Sequence, residues 1–218
     1  MNRSRENLPS TISADWLCQL YPLRSTCESH VAAQLSRTLS GLKMITAFKY
    51  VGPQAIVERS AMNAPRQSLN SKADVFDWIK NTSQELDAAN QVTATYIVDL
   101  ENCMWIADRH SEHVVCARGN AVLGAGEITL MIEGKSLEIT EISNQSTGYC
   151  PKPSCWTDVS KSLTNAGLRH PKEFTLSLDF RRCKCGQINI IKNQLFECAV
   201  CGSKLPDDWN FHHTQDAR

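Results

Sequence analysis

The sequence predicts an α+β fold: N-terminal helices, then an antiparallel β-meander, then a C-terminal four-cysteine zinc ribbon. Three observations carry this expectation. Apolar residues recur at helical spacing in the early segments. From Val92 onward, short alternating segments follow one another with polar or glycine turns between them. Near the C-terminus stand two cysteine pairs, each followed by glycine.

Residues 1–27 have weak periodicity and are read as a loosely ordered arm. From Glu28, the positions Val31, Leu35, Leu39 and Leu42 fall near one helical face, with Gly41 as a stop. Residues 44–52 read as a strand, and Pro53 suits the first turn of a short helix over 54–60. Ser71 followed by Asp74 forms a capping-box pattern. It opens a helix with Val75, Trp78 and Ile79 on its apolar face, expected to run to about Ala88. The segments TATYIVDL, CMWIAD, EHVVCA, EITLMIE and SLEITEI then read as strands, with DLEN, ARGN, GAG and EGK as turns. Residues 144–155 form a loop. A helix follows with Trp156, Val159 and Leu163 on one face and Gly167 as its stop, and residues 173–182 read as a strand. The domain expectation is an α+β domain over 28–180, a ribbon over 181–211 and a tail over 212–218 that holds His212 and His213.

At 218 residues the chain has room for one sizeable domain and a small appendage. Lys+Arg and Asp+Glu balance at 23 each, which argues against a dedicated nucleic-acid binder, although a local basic patch such as Arg181, Arg182, Lys184 and Lys192 would suffice for contact by the ribbon. No apolar run reaches the roughly 20 residues of a membrane span, and residues 1–17 have no apolar core of signal-peptide length. The expected location is the cytoplasm. There the 10 cysteines stay reduced, so the clustered ones point to metal. Cys18, Cys27, Cys103, Cys116, Cys150 and Cys155 are scattered and expected mostly to be small buried residues.

The C-terminal run reads FRRCKCGQINIIKNQLFECAVCGSKLP. Cys183 and Cys185 form one pair, Cys198 and Cys201 the other. The residues between read as a hairpin of QINII, a KNQ turn and LFEC. A turn bearing two cysteines lets both thiolates reach one ion, and glycine lets backbone N–H groups face the sulfurs. Two such turns complete a tetrahedral four-sulfur shell with no open position, the geometry of structural Zn2+. The first pair is C-x-C rather than C-x₂-C, which tightens that knuckle. An iron–sulfur centre is the lesser alternative.

A second cluster lies in the middle. Residues 107–128 carry His110, Ser111, Glu112, His113, Cys116 and Glu127, and the next loop adds Asn144, Gln145, Ser146, Thr147, Tyr149 and Cys150. If the strands pair as sequence neighbours, these residues meet at one end of the sheet. His113, Glu127, Asn144, Ser146 and Tyr149 are the candidate catalytic or ligand-binding set, since a histidine with a carboxylate partner supports acid–base work and hydroxyls position substrate. His110, His113 and Cys116, three apart, are the candidates for a second metal, with Cys150 and Cys155 as further ligands. The alternative is that the histidines are surface or hydrogen-bonded residues and that Gly119, Gly124, Gly126 and Gly148 serve turns.

ADRHSEHVVCARG, AGE, EISNQSTGYCP, the Trp156 helix and the cysteine run together resemble a bacterial family of uncharacterised proteins that end in a zinc ribbon, over residues 44–211. This resemblance implies the fold and no particular activity. His113, Gly119, Ala125, Gly126, Ser146, Gly148, Tyr149 and Pro151 are also similar to a pattern in the β-rich domain of plant IQ-motif calmodulin-binding proteins. That pattern has serines where Val114 and Val115 stand, and a histidine missing from Ser-Thr-Gly-Tyr-Cys-Pro here. No IQ motif is present, so calmodulin binding is not implied.

The leading expectation is a zinc-dependent binding or interaction module with an unidentified protein or small-molecule partner. The runner-up is an enzyme or small-ligand binder, of the group-transfer or hydrolytic kind, at the end of the meander. Nucleic-acid binding through the ribbon is third.

Overall fold

The computed structural model describes residues 46–60 and 63–211. The arm, the Val31–Leu42 helix, Gly41, Cys18, Cys27, and the tail with His212 and His213 lie outside the described residues. Helices mix with two antiparallel sheets, and the four cysteines cluster at the C-terminal end.

Helix α1 spans Gln54–Arg59, with Pro53 as its N-cap. Strand β1 is Gln67–Leu69 and helix α2 is Lys72–Asn81. The N-terminus of α2 is held as the capping pattern requires: the Ser71 N–H donates to Asp74 Oδ2 at 2.8 Å. Its apolar face buries Val75 and Trp78. The helix stops at Asn81 rather than Ala88. The Thr82 hydroxyl turns back to donate to the Trp78 carbonyl at 2.6 Å, and Ser83 adopts a left-handed φ of +53°.

Strands β2 (Gln91–Val98), β3 (Met104–Asp108), β4 (Gly124–Glu133) and β5 (Ser136–Ile142) complete a five-stranded sheet in the order β1-β3-β2-β4-β5. This corrects the neighbour-paired meander, because β4 returns to lie beside β2 rather than β3. EHVVCA is a one-turn helix, α3 (His113–Cys116), and not a strand. Its Val114, Val115 and Cys116 are all buried, and Thr95 on β2 donates to the carbonyls of Arg109 and Ser111 just before it. Tertiary burial overrides the β preference of the valines. GAG is likewise no turn but the start of β4. A Cβ on Gly126 would sit 1.9 Å from the Ser143 carbonyl oxygen, so a second backbone crosses there and excludes every side chain.

Helix α4 (Trp156–Asn165) packs over β4, where Val159 fills the space above Gly124, and Gly167 follows it with φ +66°. The strand expected over 44–52 reduces to one bridge, Phe48 to Val122. The one expected over 173–182 reduces to a bridge from Leu176 to Ser143 and a short strand, β6 (Asp179–Arg182). Strand β6 pairs with β7 (Ile188–Ile191). The hairpin expected between QINII and LFEC is therefore replaced: β7 takes β6 as its partner, and only the Lys192–Leu195 bridge links it forward. Phe180, Cys150 and Phe211 form a small core that joins this ribbon to the loop after β5.

Among the described residues, no helix is long and apolar enough to cross a membrane.

Candidate metal centre

Each cysteine pair sits at the tip of a β-turn. Cys183 and Cys185 occupy the connection from β6 to β7, where the Cys183 N–H donates to the Gln187 carbonyl at 2.8 Å and Gly186 takes φ +94°. Cys198 and Cys201 occupy a second turn, closed by the Glu197–Lys204 bridge and by the Cys198 N–H donating to the Ser203 carbonyl at 2.9 Å. Gly202, with φ +69°, lets that chain reverse directly after Cys201.

The two turns face each other. All four sulfurs lie within 4.8 Å of one another, with Cys183 to Cys201 at 3.5 Å and Cys185 to Cys198 at 3.7 Å. Metal–sulfur bonds of about 2.3 Å at tetrahedral angles would hold sulfurs about 3.8 Å apart. The cysteines are free thiols rather than disulfides, and the set has the spacing and donor chemistry to hold one metal ion. Cys183 and Cys198 are 4% and 3% exposed, while Cys185 and Cys201 face solvent.

Acid–base chemistry within the set points the same way. The backbone N–H groups of Cys201 and Val200 hold the Cys198 thiol down to about 6. The Cys185 N–H also favours a Cys183 thiolate, but burial and hydrogen bonds to the other three sulfurs outweigh it and push Cys183 up to about 12. These opposite shifts express one fact: four adjacent sulfurs cannot all ionise without a cation between them.

The polar cluster of residues 107–151 behaves differently. The His113 ring is half-buried and closely surrounded, and its Nε2 donates to the Gly126 carbonyl at 3.0 Å. Burial lowers its pKa to about 4, with the Gly126 bond opposing the shift. Asn144 is fully buried and wholly engaged: Nδ2 donates to the carbonyls of Pro151 (2.9 Å) and Leu178 (2.8 Å), and Oδ1 accepts the Leu178 N–H at 2.7 Å. The Tyr149 hydroxyl donates to the Asn120 carbonyl at 2.8 Å, and burial raises its pKa. Ser146 is 1% exposed, and its hydroxyl has no hydrogen-bond partner among the described residues.

Glu127 instead lines a hollow of about 200 Å³ with Thr129, Glu141, Ser143 and Gln145, and His113 and Tyr149 are not part of that lining. His110 is exposed on Asp108, with Nδ1 to Oδ1 at 3.1 Å, while the Cys116 Sγ faces the Trp105 carbonyl at 3.7 Å. His110, His113 and Cys116 thus point to three separate places. Among the described residues, the four ribbon cysteines are the group of three or more metal-capable side chains within reach of one ion. Burial pushes Cys116, Cys150 and Cys155 up to about 12, as expected of inert small core residues.

Two features of the site escaped the sequence reading. Arg181 and Arg182 are structural ties. Arg181 donates to the carbonyls of Pro206 and Asp207, and Arg182 donates to the Val51 carbonyl. Asn189 is 7% exposed and reaches a cysteine sulfur. Its signal was a single polar residue inside the apolar run INII.

Compared with protein-family models, curated proteins and solved structures, the chain gives no match.

Proposed function

We propose that this chain is a cytoplasmic zinc protein that serves as a binding or interaction module, with a single structural zinc held by Cys183, Cys185, Cys198 and Cys201. The observation that carries this reading is the mutual approach of the four sulfurs within 4.8 Å. Four thiolates complete a tetrahedral shell and leave no position for water or substrate, so the metal would fasten the ribbon rather than catalyse. Zinc suits an all-sulfur tetrahedral set of this kind in a reducing compartment.

A binding role is supported by the surface beside the ribbon. A groove of about 670 Å³ runs along Ile188, Ile190 and Leu195 to Cys198 and Ala199. Leu195 and Val200 are 62% and 70% exposed, an apolar display that a partner protein or small molecule would cover. The catalytic reading has less support, because His113, Asn144 and Tyr149 already donate to backbone carbonyls.

Elemental analysis of the purified, dialysed chain, paired with thermal melting with and without chelator, tests the metal reading. One zinc per chain and a lower melting temperature after chelation are expected, and Cys198→Ser should remove both the zinc and the chelator effect. A folded wild-type chain holding no metal would overturn it.

A further inference from the structure

We propose that Asn189 is a positioning residue of the four-cysteine centre, tying its two knuckles together and donating a hydrogen bond to the Cys198 sulfur. This rests on the reading of that centre as a metal site.

Asn189 lies in the middle of β7, opposite Arg181, between Ile188 and Ile190. A carboxamide buried to 93% in an apolar strand is costly unless its donors and its acceptor find partners. Here each does. Nδ2 donates to the Gln187 carbonyl at 3.0 Å and to the Cys198 Sγ at 3.7 Å, and Oδ1 accepts the Ala199 N–H at 3.0 Å. The Gln187 carbonyl also receives the Cys183 N–H, so it belongs to the first knuckle, while Ala199 stands inside the second. One planar side chain therefore reads the position of both turns at once. It fixes their separation before any ion arrives.

The donor to sulfur matters for a second reason. Four thiolates around a divalent cation carry a net charge of about −2, and two of these sulfurs are nearly buried. N–H groups aimed at sulfur spread that charge and orient the lone pairs toward the metal. The Val200 and Cys201 backbone groups already serve Cys198, and the Cys201 Sγ lies 3.4 Å from the Ser203 hydroxyl. Asn189 adds a donor from the opposite hairpin, carried on β7. An aspartate would keep the shape and the acceptor for Ala199, but would set an acceptor-only carboxylate against the sulfur.

The test uses the full chain with Asn189→Asp and Asn189→Ala, loaded with Co2+ as the spectroscopic probe and with Zn2+ in competition with a chelator. Both variants are expected to lose ten- to a hundredfold in Zn2+ affinity, the usual scale for a lost outer hydrogen bond. Both should also shift the sulfur-to-cobalt charge-transfer band to longer wavelength, because sulfur lone pairs rise in energy when an N–H is withdrawn. The alanine variant separates the lost donor from the added charge, and carries the test if the aspartate variant does not fold. Unchanged affinity and band position in a folded variant would overturn the proposal. So would an affinity loss with an unmoved band and an equal drop in the melting temperature of the metal-free chain, since that describes a strut only. A wild-type chain that takes up neither ion would overturn the metal reading itself, and this proposal with it.

Discussion

In the ribbon, four sulfurs carried on two turns face one another within 4.8 Å. In the polar segment of residues 107–151, His113, Asn144 and Tyr149 each face a backbone carbonyl instead. Both regions are dense in side chains capable of chemistry, so residue type alone does not separate them. What separates them is the partner. Sulfur is a poor substitute for a backbone hydrogen-bonding group, so four clustered cysteines have little structural use without an ion. Amides, imidazoles and phenols meet the needs of a loop that crosses a sheet, where buried N–H and C=O groups must all be matched. The crossing of residues 143 and 144 over Gly126 creates such a need, and the polar residues gathered there supply it.

Asn144→Ala breaks this comparison most directly. The substitution strips partners from the Leu178 N–H and from the carbonyls of Pro151 and Leu178, all close to a side chain with no exposed surface. At about 1–3 kcal/mol for each buried group left unmatched, the expected loss is about 3–5 kcal/mol in unfolding free energy, read as a lower chemical-denaturation midpoint. A residue serving only a catalytic role would leave that midpoint unchanged, and the polar cluster would then belong with the ribbon as a functional site.

The same contrast explains what could be read in advance. Helix α2 was legible because a capping box and an i, i+3, i+4 apolar face are local signals, and the Trp156 helix for similar reasons. The cysteine turns were legible because a metal shell needs ligands at fixed short spacing. Helix α3 was not, since one turn of His-Val-Val-Cys is too short to show a period and its valines favour strands. The return of β4 to β2 leaves no local trace at all, and the placement of the polar cluster depends on it. Gly126 looked like a turn residue because glycine marks both turns and close backbone approach, and sequence does not separate the two. Asn189 stands out in the sequence only as one polar residue in the apolar run INII, and its role was not legible because its partners, Ala199 and Cys198, come from the far side of the ribbon.

His113 gives a sharper, pH-dependent form of the comparison. Its folded pKa of about 4 lies below the ordinary 6.5, so the unfolded chain binds the proton more readily. The stability gained by keeping the ring neutral is fully present above pH 6.5. It is lost as the pH falls toward 4. His113→Gln keeps an N–H for the Gly126 carbonyl and removes the titration. Denaturant titrations at several pH values should therefore show the wild type losing on the order of 2–3 kcal/mol more than the variant between those limits. Protonation of the ribbon thiolates affects both proteins alike and cancels in the difference. An identical pH profile for the two proteins would mean that the ring is solvated and free to serve as an acid or base.

His110→Ala carries the smallest expected effect. Its side chain is 86% exposed, and it touches Asp108 through the ring Nδ1 at 3.1 Å. The Asp108 carboxyl is held below its usual range first by the backbone N–H of residue 110, with the Gln84 amide and the imidazole contributing less. Alanine keeps that N–H and removes only the ring. Stability should therefore stay within about 0.5 kcal/mol of wild type, and the metal content per chain should not change. A fall in metal content would put His110 in a second centre with ligands outside the described residues. The polar segment would then resemble the ribbon after all: a set of side chains placed to hold an ion, rather than a set facing the backbone.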